Sequence, residues 1–169
     1  MIELILFVVI VGVGVAGILM AFNLTTQKSA DPQVRKQMLA VAEALLEEVT
    51  LKPFTYCDPD DPIAATATGG GDCAAGMDES ASLGPEANDT SRAVYDNVSD
   101  YNGLNLSPFS DINGTTITGY SATVSVTQQQ IEAGIPLDAS LRITVTVTHG
   151  GDSLSLSGYR VRYAPRSLP

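Results

Sequence analysis

Positive charge is scarce in this chain. Nine Lys and Arg face nineteen Asp and Glu, a net charge of −10 over 169 residues. A nucleic-acid surface needs clustered cations to neutralise phosphates, so no DNA or RNA partner is expected. Histidine occurs once, as His149 beside Gly150 and Gly151. No Ser or Cys nucleophile motif accompanies it, so it reads as a turn residue rather than a catalytic base. Cysteine occurs twice, as Cys57 and Cys73, with no CxxC and no second Cys/His pair, which argues against zinc or redox chemistry. Gly69-Gly70-Gly71 is not followed by Lys-Ser/Thr at phosphate-loop spacing and does not join a strand to a helix, so a nucleotide loop is not expected. Nothing in the sequence resembles an active site, and the chain reads as a protein that catalyses nothing.

What is present in quantity is apolar residues at one end. Residues 1–22 form an apolar run with one charge, Glu3. A carboxylate in such a segment costs about 2.5–3.5 kcal/mol on translocon scales, and residues of that kind usually have a function. At ~1.5 Å per residue, Leu4 to Phe22 covers about 28 Å, a bilayer's hydrocarbon thickness. The run is too long for a typical signal-peptide core and lacks a clear cleavage site. Gly12, Gly14 and Gly17 lie inside it, each costing about 1 kcal/mol of helix propensity. They permit either close helix packing in a membrane or local unwinding.

Flanking charge poses a conflict. No basic residue precedes the run, whereas Lys28, Arg35 and Lys36 follow it. The positive-inside rule would keep the C-terminal part cytoplasmic. An even, closely spaced cysteine pair fits one Cys57–Cys73 disulfide in an oxidising compartment, with free thiols as the alternative. Both signals hold if a short basic leader once preceded Met1.

With the run set aside, about 145 residues remain, enough for one domain with a modest core. The expected organisation is a membrane helix over residues 1–30 and a globular head over 31–169. Within the head, residues 31–52 read as an amphipathic helix capped by Ser29 or Asp31. Pro32 sits in the first turn, so the helix restarts or kinks there. Val34, Met38, Val41, Leu45 and Val49 make its apolar stripe, placed to cover a β-sheet, and Pro53 ends it.

Residues 53–115 are loop-rich. Residues 57–100 hold ten Asp and Glu against one basic residue, Arg92. A solvated acidic face is the expected reading. Asp58, Asp60 and Asp61 are hard oxygen ligands that could hold Ca²⁺, but EF-hand spacing is absent and Pro59 and Pro62 stiffen the segment, so no metal site is assigned. Residues 116–163 read as β. Tyr120, Ala122, Val124 and Val126 alternate with polar residues, as do Leu141, Ile143, Val145 and Val147. That period fits an antiparallel sheet covered on one face. Residues 149–152 read as a hairpin turn. The last strand changes parity, from Leu154 and Leu156 to Tyr159, Val161 and Tyr163, which predicts a bulge near Gly158. The fold class is therefore α+β, a long N-terminal helix packed on a C-terminal antiparallel sheet.

A buried carboxylate needs a cation or donors. The residues around Glu3 offer none, so a partner has to supply the charge. The free α-amino group of an adjacent subunit in the same membrane layer would do so. Met1-Ile2-Glu3-Leu4-Ile5, the apolar stretch behind it, the amphipathic helix and the C-terminal sheet together resemble type IV pilins and type II secretion pseudopilins. That resemblance places Glu3 at the family's motif glutamate. The Gly, Phe and Thr of the processing motif are missing, and the sequence is expected to begin about two residues inside the mature chain. A narrower resemblance is to D-type minor pilins of MSHA (mannose-sensitive haemagglutinin) pili. It rests on Ser29-Ala-Asp-Pro32, Arg35-Lys-Gln37, residues 44–49, 53–61 and 95–103, and the ending Gly158-Tyr-Arg-Val-Arg-Tyr-Ala-Pro165.

The resemblance implies a structural subunit of a type IV pilus-like filament supporting adhesion or motility. Processing by a prepilin peptidase with N-terminal methylation is implied too. The implied partners are other pilin subunits, the bacterial inner membrane before assembly, and an assembly machinery of ATPase, membrane platform and outer-membrane secretin. The head would be periplasmic or extracellular, and no cofactor is implied. The alternatives are a pseudopilin that drives protein export and a membrane-anchored periplasmic binding domain or enzyme.

Overall fold

The computed structural model describes residues 2–80, 83–87 and 89–166, without the side chains of residues 23–31. The chain divides into two compact units, Met1–Gln37 and Met38–Pro169. One helix, α1, runs over Ile2–Leu51 and carries Pro32 inside it. No second helix starts at residue 31, so the expected restart is not seen. The proposed caps, Ser29 and Asp31, lie outside the described side chains. Pro32 lacks only one donor of the ladder, and the long helical runs on either side keep the cooperative structure going.

In the first unit, Ile2–Phe22 is long and apolar enough to span a membrane, and none of it is buried inside the protein. Its 21 residues correspond to about 32 Å at ~1.5 Å each. Gly12, Gly14 and Gly17 do not unwind it, and open space lies where each would carry a Cβ.

The second unit is a head built on a four-stranded antiparallel sheet of order β1-β4-β5-β6. β1 is Asn105–Leu106, β4 Tyr120–Gln128, β5 Ser140–His149 and β6 Asp152–Val161, while β2 (Phe109–Ser110) and β3 (Thr116–Ile117) form a separate small ladder. The alternation read from sequence sets the register. Ala122 pairs with Val147, Val124 with Val145 and Val126 with Ile143, and all six are buried. On the opposite face Thr144 meets Ser157 and Thr146 meets Ser155 through hydroxyl hydrogen bonds of 3.0 and 2.9 Å. One face is thus apolar and covered, the other a hydroxyl ladder. β5 and β6 join through Gly150-Gly151, where Gly150 takes φ 59° to close the turn.

The C-terminal part of α1 supplies the cover. Met38, Leu45 and Val49 of the expected stripe are buried, joined by Ala42, while Val34 and Val41 are only half-buried. Burying a Leu or Val side chain fully stabilises by about 1.5–3 kcal/mol, so this face anchors the helix end to the head.

β6 departs from the expected parity. β5 and β6 pair residue for residue from Ser140↔Val161 to His149↔Asp152, with no bulge. Tyr159 and Tyr163 consequently face outward and are exposed. The inward positions are Leu154, Leu156, Gly158, Arg160 and Arg162. At Gly158 a Cβ would lie 3.3 Å from Leu46 Cδ1, so a glycine there admits the helix close to the strand. Arg162 is buried with its guanidinium 4.1 Å from the Phe54 ring centre and 4.8 Å from that of Tyr56. It also lies 3.6 Å from Asp138. Ring faces and an acid replace the apolar partners the sequence pattern looked for.

Candidate functional site

Two places hold carboxylates in surroundings where carboxylates are rare. The first is Glu3, in the first turn of α1. The positive end of the helix dipole favours a negative charge there. Among the described residues, no ion pair is made to it. Ile2, Leu4, Ile5, Leu6 and Phe7 around it are all exposed. Glu3 is therefore one acid on a bare apolar helix.

The second lies in the head, beside the disulfide. Cys57 and Cys73 are bonded. Cys57, Ala64 and Ala67 form a small buried cluster, with Tyr56, Ile63 and Cys73 packed against it. Asp61 pins this loop from inside, its oxygens accepting the backbone N–H groups of Ile63 at 3.1 Å and Ala74 at 2.8 Å. Segment 78–80 then returns along residues 56–58, through the Cys57↔Asp78 bridge and the Glu79 N–H to Tyr56 carbonyl bond of 3.0 Å. Gly70 is needed on this return because the Asp78 and Ser80 side chains fill the space of a Cβ.

This path brings together acids far apart in sequence. Carboxylate oxygens of Glu79, Glu86 and Asp100 all lie within 4.8 Å of one another. Those of Asp58, Glu86 and Asp89 do likewise, as do those of Asp58, Asp60 and Asp96. Glu79 and Asp100 are 0% exposed and Asp58 4%. The acidic segment is thus not a solvated face, as its composition suggested. Four of its acids, Asp58, Asp61, Glu79 and Asp100, turn inward because the loops fold over them. Of the Asp58, Asp60 and Asp61 set weighed from sequence, Asp58 and Asp60 belong to this cluster, whereas Asp61 is spent on loop amides.

Donors are few here. Asp100 Oδ2 accepts the Asp96 and Asn97 N–H groups at 2.9 and 2.8 Å, and Asp58 Oδ1 accepts the Asp60 N–H at 2.7 Å. Asp100 Oδ1 and both Glu79 oxygens are buried and accept no hydrogen bond among the described residues. Glu79's close companion is the Glu86 carboxylate, and a bond between two acids requires one of them to hold a proton. Burial and then the Glu86, Asp100 and Asp58 acids push Glu79 up to about 11. Burial raises Asp100 to about 7 against the Asn97 amide, and Glu86 and Asp89 add to the rise. Asp58 rises to about 7 and Asp96 to about 6, again by burial first and neighbouring acids after. Each such shift means that ionising the group destabilises the folded head as pH rises.

Two cations stand near: Lys52 donates to the Tyr95 carbonyl at 2.6 Å, where its charge opposes the rise of Asp96, and Arg92 is engaged elsewhere. Arg92 pairs with both oxygens of Glu48 on α1 and donates to the Ser110 carbonyl at 2.7 Å. The Tyr101 hydroxyl donates to Glu48 Oε1 at 2.8 Å. This network ties the helix to the loops and leaves Arg92 committed.

Sequence reasoning singled out Glu3, Cys57 and Cys73. It missed Glu79, Glu86 and Asp100, whose only sequence signal was the acid surplus of residues 57–100. Comparison of the chain with family models, with curated proteins and with solved structures finds no match.

Proposed function

We propose that this chain is a structural subunit, minor or major, of a type IV pilus-like filament, held in the inner membrane by its N-terminal helix until it is assembled. The observation that carries the reading is the Ile2–Phe22 helix. It is apolar throughout, exposed along its whole length, and charged only at Glu3. An apolar surface of this extent needs lipid or other protein around it. Identical helices packed side by side would provide the second environment once the subunit leaves the bilayer.

Glu3 is the registration point in this reading. Its carboxylate pairs with the terminal amine of a neighbouring subunit, which fixes the axial step between helices and relieves the cost of an acid in an apolar layer. The head keeps its own core and is displayed outside, tied by the Cys57–Cys73 bond. A subunit of this kind has no substrate.

The test is Glu3→Ala in cells that make the filament. Incorporation into sheared filaments should fall at least tenfold, while the head keeps its disulfide and its melting temperature. Wild-type incorporation of the variant would overturn the reading.

A further inference from the structure

We propose that the head binds one Ca²⁺ ion through the carboxylates of Glu79, Glu86 and Asp100. The anchor of the argument is Glu79, a side chain with no exposed surface whose two oxygens accept no hydrogen bond among the described residues. A group of that kind requires a proton or a cation. Its neighbours supply acceptors. Glu86 and Asp100 bring oxygens within 4.8 Å, and Asp100 Oδ1 and Glu86 Oε2 are likewise buried without a donor.

The donor set selects the ion. Every side chain in the cluster offers oxygen and none offers nitrogen or sulfur, which suits hard cations. Oxygens bound at about 2.3–2.6 Å to one ion span up to about 5 Å across it, and the Glu79, Glu86 and Asp100 oxygens, within 4.8 Å of one another, fall inside that span. Ca²⁺ tolerates an irregular shell drawn from several loops, whereas Mg²⁺ demands near-octahedral order and sheds water reluctantly. Here the ligands come from residues 79, 86 and 100, on loops rather than one contiguous motif. The cysteine-containing group, Cys57, Asp61 and Cys73, is not a rival site, because both sulfurs are in the disulfide and Asp61 is held by amides.

The ion would tie together the strand-like return at 78–80, Glu86 and the turn at 99–101. Each carries an acid, and without a cation the three cannot all be ionised together. The raised affinity for protons is the same physics seen from the other side, since whatever neutralises the acids stabilises the fold. This proposal does not depend on whether the chain polymerises.

The experiment uses the full chain in an uncharged detergent at pH 7, with Ca²⁺ alone as the probe. Titration calorimetry should find one ion per chain with Kd between about 10⁻⁶ and 10⁻³ M. Saturating Ca²⁺ should raise the melting temperature over the chelator-treated protein by about 5–15 °C. Glu79→Gln keeps the shape and removes a charge. It should weaken Ca²⁺ at least tenfold and raise the melting temperature measured in chelator. Asp100→Asn, read the same way, serves if Glu79→Gln does not fold. No heat and no melting shift at 10-fold the upper Kd would show that Glu79 simply holds a proton, and would overturn the proposal. So would Ca²⁺ binding that both variants leave unchanged.

Discussion

The N-terminal helix and the head each hold an acid in a place that disfavours it, and the two places differ in where relief can come from. Glu3 sits on an exposed apolar helix and makes no ion pair among the described residues, so another molecule can reach it. Glu79 is fully enclosed by its own chain, so its partner has to be small enough to fit among side chains. An acid on an open apolar surface therefore reads as a contact between subunits. The enclosed acid with acceptor neighbours reads as an ion site. The two regions also differ in what stabilises them. Ile2–Phe22 has no buried residue, whereas Met38, Ala42, Leu45 and Val49 are nearly inaccessible.

The largest test of that contrast is truncation on each side. Leu45→Ala should destabilise the head by about 2–5 kcal/mol, because the cavity closes only partly. Leu6→Ala, on the exposed span, should leave the head's melting transition in detergent unmoved. Equal effects would erase the distinction between the regions. The disulfide comes next. Replacing Cys57 and Cys73 together with Ala should cost about 3 kcal/mol in denaturant melts, the loop-closure value for a separation of 16 residues.

Smaller still is the Glu48–Arg92 tie. Arg92→Ala should cost about 2 kcal/mol at pH 7, since it leaves Glu48 facing only the Tyr101 hydroxyl and Lys52. That cost should depend on pH. Burial alone would raise Glu48, but the Arg92 pairing, the Tyr101 hydroxyl and the Lys52 charge outweigh it and hold the carboxyl below 4.5. A depressed carboxyl contributes stability that is fully present above its unfolded value and is lost as pH falls through the folded one. The gap between wild type and Arg92→Ala, measured in chelator, should therefore be full at pH 7 and shrink below pH 4.5. A gap that persisted unchanged at pH 3 would mean Arg92 acts through packing alone.

Much of this architecture was readable before any coordinates. Strands β4 and β5 announced themselves by strict alternation, and the helix stripe by spacing. Ala42 escaped because a small side chain carries little hydrophobic signal, though it is fully buried. β6 misled for a physical reason. A glycine that receives Leu46 and an arginine stacked on Phe54 do not look like inward positions, so the apolar Tyr159 and Tyr163 drew the pattern to the wrong face.

The sequence by itself determined what depends on neighbours along the chain: a membrane-length apolar helix with one acid, an amphipathic helix end, two alternating strands, and the turn at Gly150-Gly151 that follows the second of them. These follow from local periodicity and need no knowledge of the fold. Only the tertiary structure decided which acids meet. Asp58, Glu79, Glu86 and Asp100 span more than forty positions and meet in two triads that share Glu86, because the disulfide loop, the return at 78–80 and the turn at 99–101 fold onto one another. Composition reports how much charge a segment carries. Whether that charge faces water or another acid depends on contacts between distant residues, which no local pattern encodes.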